Sequence, residues 1–185
     1  MERNLIIAWT LLIVFTLASP AFGASLSPMT AKDLIAEADV VVTGRVTDVK
    51  TVRGDDLPLP VMTKVTLAVD EAYKGEVAEP IFFHVPGGVD ADGGLLVPGT
   101  PQFEVGDRVL LAMDRDANGE LRVTEFSQGR FSLMFDDNGR PMAVKDPTGV
   151  LVREIYKCAS TMADCVFGQE VVTLDQVRRW TGAAK

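Results

Sequence analysis

The sequence predicts a mostly-β chain, folded as a barrel or a sandwich, and three observations carry this. Runs of β-branched and aromatic residues recur at short intervals, as in Val40-Val41-Val42, Ile81-Phe82-Phe83 and Val109-Leu110-Leu111. Glycine turns separate the runs, among them Asp116-Ala117-Asn118-Gly119 and Asp137-Asn138-Gly139. Helical patterning is confined to two short stretches that flank the strands. Many short strands joined by turn residues make barrels and sandwiches, and periodicity does not choose between the two.

Taken in order, Thr30-Ala31-Lys32-Asp33 has capping-box character. The Thr30 hydroxyl accepts from the Asp33 amide, and the Asp33 carboxylate lies in the positive first turn. Leu34, Ile35 and Ala38 share a face, so a short helix ends near Ala38. The first strand runs from Val40 to about Val52. Gly44 inside it marks a bulge or sharp bend of the kind a barrel wall needs. Arg53 to Pro60 is a charged, proline-rich loop. Val61, Thr63, Val65, Leu67, Val69 and Tyr73 then share one parity, which predicts a half-buried strand. Ile81 to Val85 is a third strand.

Pro86 to Pro101 holds five glycines and three prolines and is a long exposed excursion. Loops of that length in compact domains are usually functional or disordered. Val109 to Met113 is a buried strand. Leu121 to Phe126, Arg130 to Phe135 and Met142 to Val144 follow, the last two joined by a hairpin at Asn138-Gly139, where positive φ is tolerated. Pro147 and Gly149 mark a break. Thr173 to Trp180 reads as a helix capped through Thr173 and Gln176 and stopped at Gly182.

Residues 1–23 read as a secretory signal peptide. Arg3 starts it, Leu5 to Ala18 is continuously apolar except for Thr10 and Thr16, Pro20 breaks the run, and Ala21-Phe22-Gly23 is a cleavage site. The apolar run is shorter than the roughly 20 residues that a membrane span needs. The mature chain is expected to start near Ala24 and to be periplasmic or secreted. Residues 24–145 form the β domain, and 146–185 a C-terminal extension with a disulfide and a helix. The net charge is −8 and the pI about 4.7, so nucleic acid, which is bound through Lys and Arg, is disfavoured as a partner. Cys158 and Cys165 are the only cysteines. In an oxidising compartment a local disulfide is the default, worth ~2–3 kcal/mol for so short a loop.

The run Ala38-Asp39-Val40-Val41-Val42-Thr43-Gly44-Arg45-Val46 follows a helix and precedes a strand that ends Tyr73-Lys74-Gly75. This arrangement resembles the netrin-type module of the tissue inhibitors of metalloproteinases, which implies an OB-like small β-barrel. Val85-Pro86-Gly87-Gly88, Val97-Pro98-Gly99, Phe103 to Leu111 and Gln128-Gly129-Arg130-Phe131 resemble small exported bacterial proteins of uncharacterised function. The likeness covers about Asp33 to Lys145. The inhibitors chelate the protease zinc through an N-terminal cysteine. Here the mature end is Ala24 or Ser25 and the first cysteine is Cys158, so that chelating mechanism does not carry over.

Asp114-Arg115-Asp116-Ala117-Asn118-Gly119, with Glu125 beyond, matches a calcium-loop pattern in which Asp114, Asp116 and Asn118 supply hard oxygens. Strands rather than helices flank it, and an extended chain carries Glu125 about 13 Å past Leu121 at ~3.3 Å per residue, too far to close a cage. A β-hairpin with an Asn-Gly turn is the competing reading. Asp90-Ala91-Asp92-Gly93-Gly94 is a second acidic loop, best read as a solvated tip. His84, the only histidine, sits mid-strand without a nucleophile elbow or reactive cysteine, so no catalytic residue, cofactor or zinc set is assigned. Arg45, Arg108 and Arg130 lie beside glycines or turns and read as rim ion pairs.

The surface expected to meet a partner is the excursion, through Gly87, Gly88 and the apolar Leu95, Leu96 and Val97. The function expected is therefore an exported, non-enzymatic module that binds a protein or peptide, linked to an extracellular protease by resemblance only. The alternatives are a hydrolase using carboxylates the sequence does not identify, and a calcium-steadied structural protein of the cell envelope.

Overall fold

The computed structural model describes residues 28–145, 165–166 and 169–183. Its first element, α1 (Ala31–Glu37), is capped as its residues dictate, with Asp33 N donating to the Thr30 hydroxyl at 3.2 Å. Then come β1 (Val40–Arg53), β2 (Val61–Lys74), β3 (Ile81–Pro86), the short pair β4 (Gly88–Asp90) and β5 (Gly93–Leu95), and β6 (Arg108–Arg115). β7 (Leu121–Val123), a 3-10 turn over Phe126–Gly129, β8 (Arg130–Phe135) and β9 (Pro141–Lys145) follow. Last are β10 (Cys165–Val166), β11 (Gln169–Thr173) and α2 (Leu174–Thr181). The chain is thus mostly β with one helix on either side of the strands. Both helix assignments and the major strands match the sequence reading. The expected strand at Leu121–Phe126 stops at Val123, because the backbone turns left-handed at Glu125 and Phe126.

All strands but β4 and β5 belong to one antiparallel sheet in the order β10-β11-β9-β8-β6-β1-β2-β3, with β7 on β6. The branch arises because β6 is shared: Val109–Leu111 pair with β8 and Met113–Arg115 with β7. The ladder is not closed into a barrel, since no hydrogen-bonded pairing joins β3 to β7 among the described residues. The two strands nonetheless lie side by side, so the sheet coils back on itself. Bulges help it to coil. In β2, Tyr73 and Asp70 are passed over in the register with β1, and in β1, Thr47 is passed over. Gly44 sits at one of these irregularities, as its position in the strand predicts.

The coiling produces two apolar interiors. One lies inside the curve and holds Val42, Val65, Leu67, Phe83, Leu111 and Met113. The other lies under the helices and holds Leu34, Ile35, Val41, Leu110, Phe131 and Val177. β1 and β6 have an interior on each face, which is why Val40–Val42 and Val109–Met113 are continuous apolar runs rather than alternating ones. α2 and β11 belong to the same body as the preceding strands: β11 pairs with β9, and Leu174 and Val177 join the helix-side interior. Thr173 and Gln176 form a reciprocal capping box, and Gly182 ends the helix at φ 70°.

Polar contacts pin both ends to the sheet. Met29 N donates to Gln128 Oε1 at 2.9 Å, the buried Lys145 ammonium donates to the Met29 carbonyl, and Ala31 N donates to Glu170 Oε2 at 2.8 Å. Burial lowers the Lys145 pKa, and Glu170 opposes that shift. At the other end, Arg178 on α2 clamps Glu71 through both carboxylate oxygens at 2.9 and 3.1 Å, and Tyr73 donates its hydroxyl to Glu71 at 2.8 Å.

That cluster sets an expected pH dependence. Burial first, then the bond to Glu71, pushes the Tyr73 hydroxyl up to about 12. The unfolded chain's tyrosine titrates near ~10. Stability from this contact is therefore complete below pH ~10 and is lost as pH rises towards about 12. Burial alone raises the Glu71 carboxyl, but hydrogen bonds from Arg178 and Tyr73 bring it below 4.5. Its contribution is present above that pH and is lost as pH falls through the lower folded value. Thermal melting against pH checks this: Tyr73→Phe should flatten the alkaline limb, and an unchanged limb would refute the assignment.

Candidate functional site

The side-by-side approach of β3 and β7 builds an apolar cleft. Gly87 N donates to Val61 O at 3.1 Å. In this register the hydrogen-bonded β2–β3 pairs are Thr63–Val85, Val65–Phe83 and Leu67–Ile81. The backbone groups of Phe82 and His84 consequently point away from β2, towards β7. No strand ladder joins them to β7 among the described residues. Pro86 falls where β3 owes β2 no donor, so its missing N–H costs the ladder nothing.

At the carboxyl end of this seam lies a cleft of about 410 Å³. Leu57, Leu59, Met62, Pro86, Pro101 and Phe126 supply its apolar walls. His84, Arg115 and Arg122 line it, as do the acidic residues Asp56, Asp114, Asp116, Glu120 and Glu125. A second cleft, of about 360 Å³, sits at the amino end of the seam and shares His84, Arg115, Glu120 and Leu121. Phe82 stands exposed on the outer face beside it, with the Lys64 ammonium 4.9 Å from its ring centre.

Two consecutive residues at the rim are strained. Glu125 has φ 47° and Phe126 φ 57°, a region that side chains other than glycine seldom enter. The turn is held by Gly129 N donating to Thr124 O at 3.0 Å and Ser127 N to Gly99 O at 3.0 Å. Strain of this kind costs ~1–3 kcal/mol per residue and clusters at binding and catalytic sites. Here it turns Phe126 outward, 42% exposed, onto the cleft.

The sequence-selected residues fall in several places. Asp114, Asp116 and Asn118 lie on the β6–β7 hairpin. Asp116 is already engaged: its carboxylate accepts from Asn118 N and Glu120 N at 2.9 and 3.0 Å and from Arg122 at 2.6 Å. The turn has left-handed Gly119 and ordinary Asn118, a type I turn with a glycine bulge. The same device recurs at Asp136-Asp137-Asn138-Gly139-Arg140, where Asp136 accepts from Asn138 N and Arg140 N. Among the described residues no three His, Cys, Asp or Glu side chains are grouped to hold a metal ion.

The glycine-rich excursion begins as the β4–β5 hairpin, tied down by Arg53, which grips Asp90 at 2.8 and 3.0 Å and Gly93 O at 3.0 Å. This is the role of the acidic loop around Asp90. A β-carbon on Gly88 would come within 2.6 Å of the Thr63 hydroxyl, and one on Gly87 within 2.5 Å of the Leu95 carbonyl oxygen, so Gly88 serves close approach to the sheet and Gly87 close approach to the end of β5. Leu95 and Val97 are half-buried while Leu96 is 81% exposed. Of the three arginines, Arg45 and Arg108 are exposed, whereas Arg130 is buried and pairs with Asp107 at 2.9 Å. Cys158 lies outside the described residues, and Cys165 is described by its strand alone, so the expected disulfide falls outside the described structure.

Leu57, Leu59, Met62, Arg122 and Phe126 were not singled out from the sequence. One signal was present: Leu57-Pro58-Leu59-Pro60 places two apolar side chains between prolines in an otherwise charged loop. Proline stiffens such a loop and lowers the entropy lost on presenting them. The others required the neighbouring strand. No protein-family model and no curated protein matches the chain.

Proposed function

We propose that this chain is an exported, non-enzymatic module of OB-like barrel character that binds an extended protein or peptide segment. The single observation carrying this is the apolar cleft along the β3–β7 seam, where open strand-edge groups of Phe82 and His84 adjoin walls built from Leu57, Leu59 and Phe126. An extended peptide uses such a site through main-chain pairing and side-chain pockets. The circuit β1–β2–β3–β7–β6 returns to β1 around one apolar interior and supports the OB-like reading, since such barrels are five-stranded and partly open. His84 has no hydrogen-bonded carboxylate or hydroxyl among the described residues, which favours recognition over acid–base chemistry. The excursion extends the surface, because Gly87, Gly88, Leu95, Leu96 and Val97 line a cleft of about 550 Å³ that shares Val85, Pro86 and Pro101 with the first.

Panning a displayed random-peptide library against the whole protein tests this. Selected peptides should shift the amide resonances of His84, Phe126 and Leu57, and the Leu57→Ser/Leu59→Ser variant should lose them with its melting temperature held. A library that yields no binder, or binders mapping to the helix side, would overturn the reading.

A further inference from the structure

Resting on that reading, we infer that the cleft at the carboxyl end of the β3–β7 seam selects a Lys or Arg side chain of an extended polypeptide, holding its apolar stem and pairing its charge. Charge complementarity over an apolar floor makes the selection. Five acidic residues line the cleft against two arginines. Arg122 is spent on Asp116 at 2.6 Å. Arg115 is held by carbonyls, donating to Glu76 O at 2.7 Å and Gly119 O at 3.3 Å. Asp56, Asp114, Glu120 and Glu125 have no ion pair among the described residues.

The walls suit the rest of such a side chain. Lys and Arg lay methylene stems along apolar surface and keep the charged head in water. Leu57, Leu59 and Met62 offer that surface, and the carboxylates stand around them. The exposed ring of Phe126, which the strained turn presents, adds a face for the cation. An anionic side chain meets uncompensated carboxylates at the same place. The net charge of −8 steers cationic partners towards the protein at long range. The occupant is a polypeptide rather than a free amine. The seam runs on past the open backbone groups of Phe82 and His84 into the second cleft, so it exceeds one side chain in length.

Capped pentapeptides Ala-Leu-X-Leu-Ala, with X as Lys, Gln or Glu, are the probes, titrated into the whole protein and followed by amide shifts at His84, Arg122 and Phe126. The Lys peptide should bind about tenfold more tightly than the Gln peptide, and the Glu peptide should not bind, with the preference fading at high ionic strength. Asp56→Asn/Glu120→Gln/Glu125→Gln changes only exposed side chains, so the fold should hold, as a melting curve checks. This variant should lose most of the preference for Lys over Gln, with Asp114 the one unpaired acidic residue left in the cleft among the described residues. Equal binding of Lys and Gln peptides to the unaltered protein, with the same residues shifted, would overturn charge selection and leave the peptide-binding reading standing. If no pentapeptide moves these amides while library-selected peptides do, the inference falls alone. If the library also fails, both fall.

Discussion

Asp107→Ala is expected to lower the unfolding free energy by about 2 kcal/mol, the loss of a charge-assisted hydrogen bond to a buried guanidinium. The Arg130 side chain is only 8% exposed. Its guanidinium donates to Asp107 Oδ2 at 2.9 Å and to the Ser132 hydroxyl at 3.1 Å, and lies 5.3 Å from the Phe103 ring centre. Asp107 also accepts from Glu104 N at 3.0 Å, which shapes the turn into β6. Alanine removes both roles and takes the Asp107 carboxylate from the buried guanidinium. Asp107→Asn keeps an oxygen that accepts from the guanidinium and from Glu104 N, so it should lose less than the alanine variant. Urea unfolding of the three proteins decides it, and an alanine-variant loss under about 1 kcal/mol would sink the account.

Gly44→Ala is expected to cost about 2–3 kcal/mol through overpacking. A β-carbon there would lie 2.4 Å from the Ala68 carbonyl oxygen and 2.9 Å from Leu67 Cγ. The nearest obstacle is backbone, and β1 is covered on both faces, so neither strand can withdraw without opening an interior. Gly119→Ala is the contrast. Nothing lies within 4 Å of a β-carbon there, and only its φ of 82° resists substitution. Its expected cost is about 1 kcal/mol, the dihedral penalty alone. Equal losses at the two positions would mean that close approach at Gly44 is not what the glycine serves.

Legibility in the sequence followed the range of the interaction. Thr30 with Asp33 and Thr173 with Gln176 were readable because a cap is made within one turn. The hairpin at Asn138-Gly139 was readable because the turn's conformational demand falls on adjacent residues. The strand predicted to Phe126 stopped early, since its left-handed turn is held by Gly99 and Thr124 contacts that no local pattern announces. Gly88 stood out by composition, yet what it serves, approach to Thr63, depends on a strand more than twenty residues away.

The cleft divides in the same way. Its ingredients were visible singly: a lone histidine, a proline-bracketed loop, an acidic hairpin. That His84, Leu57 and Arg122 meet was not, because they come from three segments joined only by the coiling of the sheet.

Strand positions, helix limits and turn residues were settled by side-chain chemistry between near neighbours, and the acidic balance by composition. The forked pairing of β6, the two interiors and the open β3–β7 seam were decided by tertiary structure alone. Long-range pairing depends on how bulges coil the sheet as a whole, and that accumulates over many residues, none of which carries it individually.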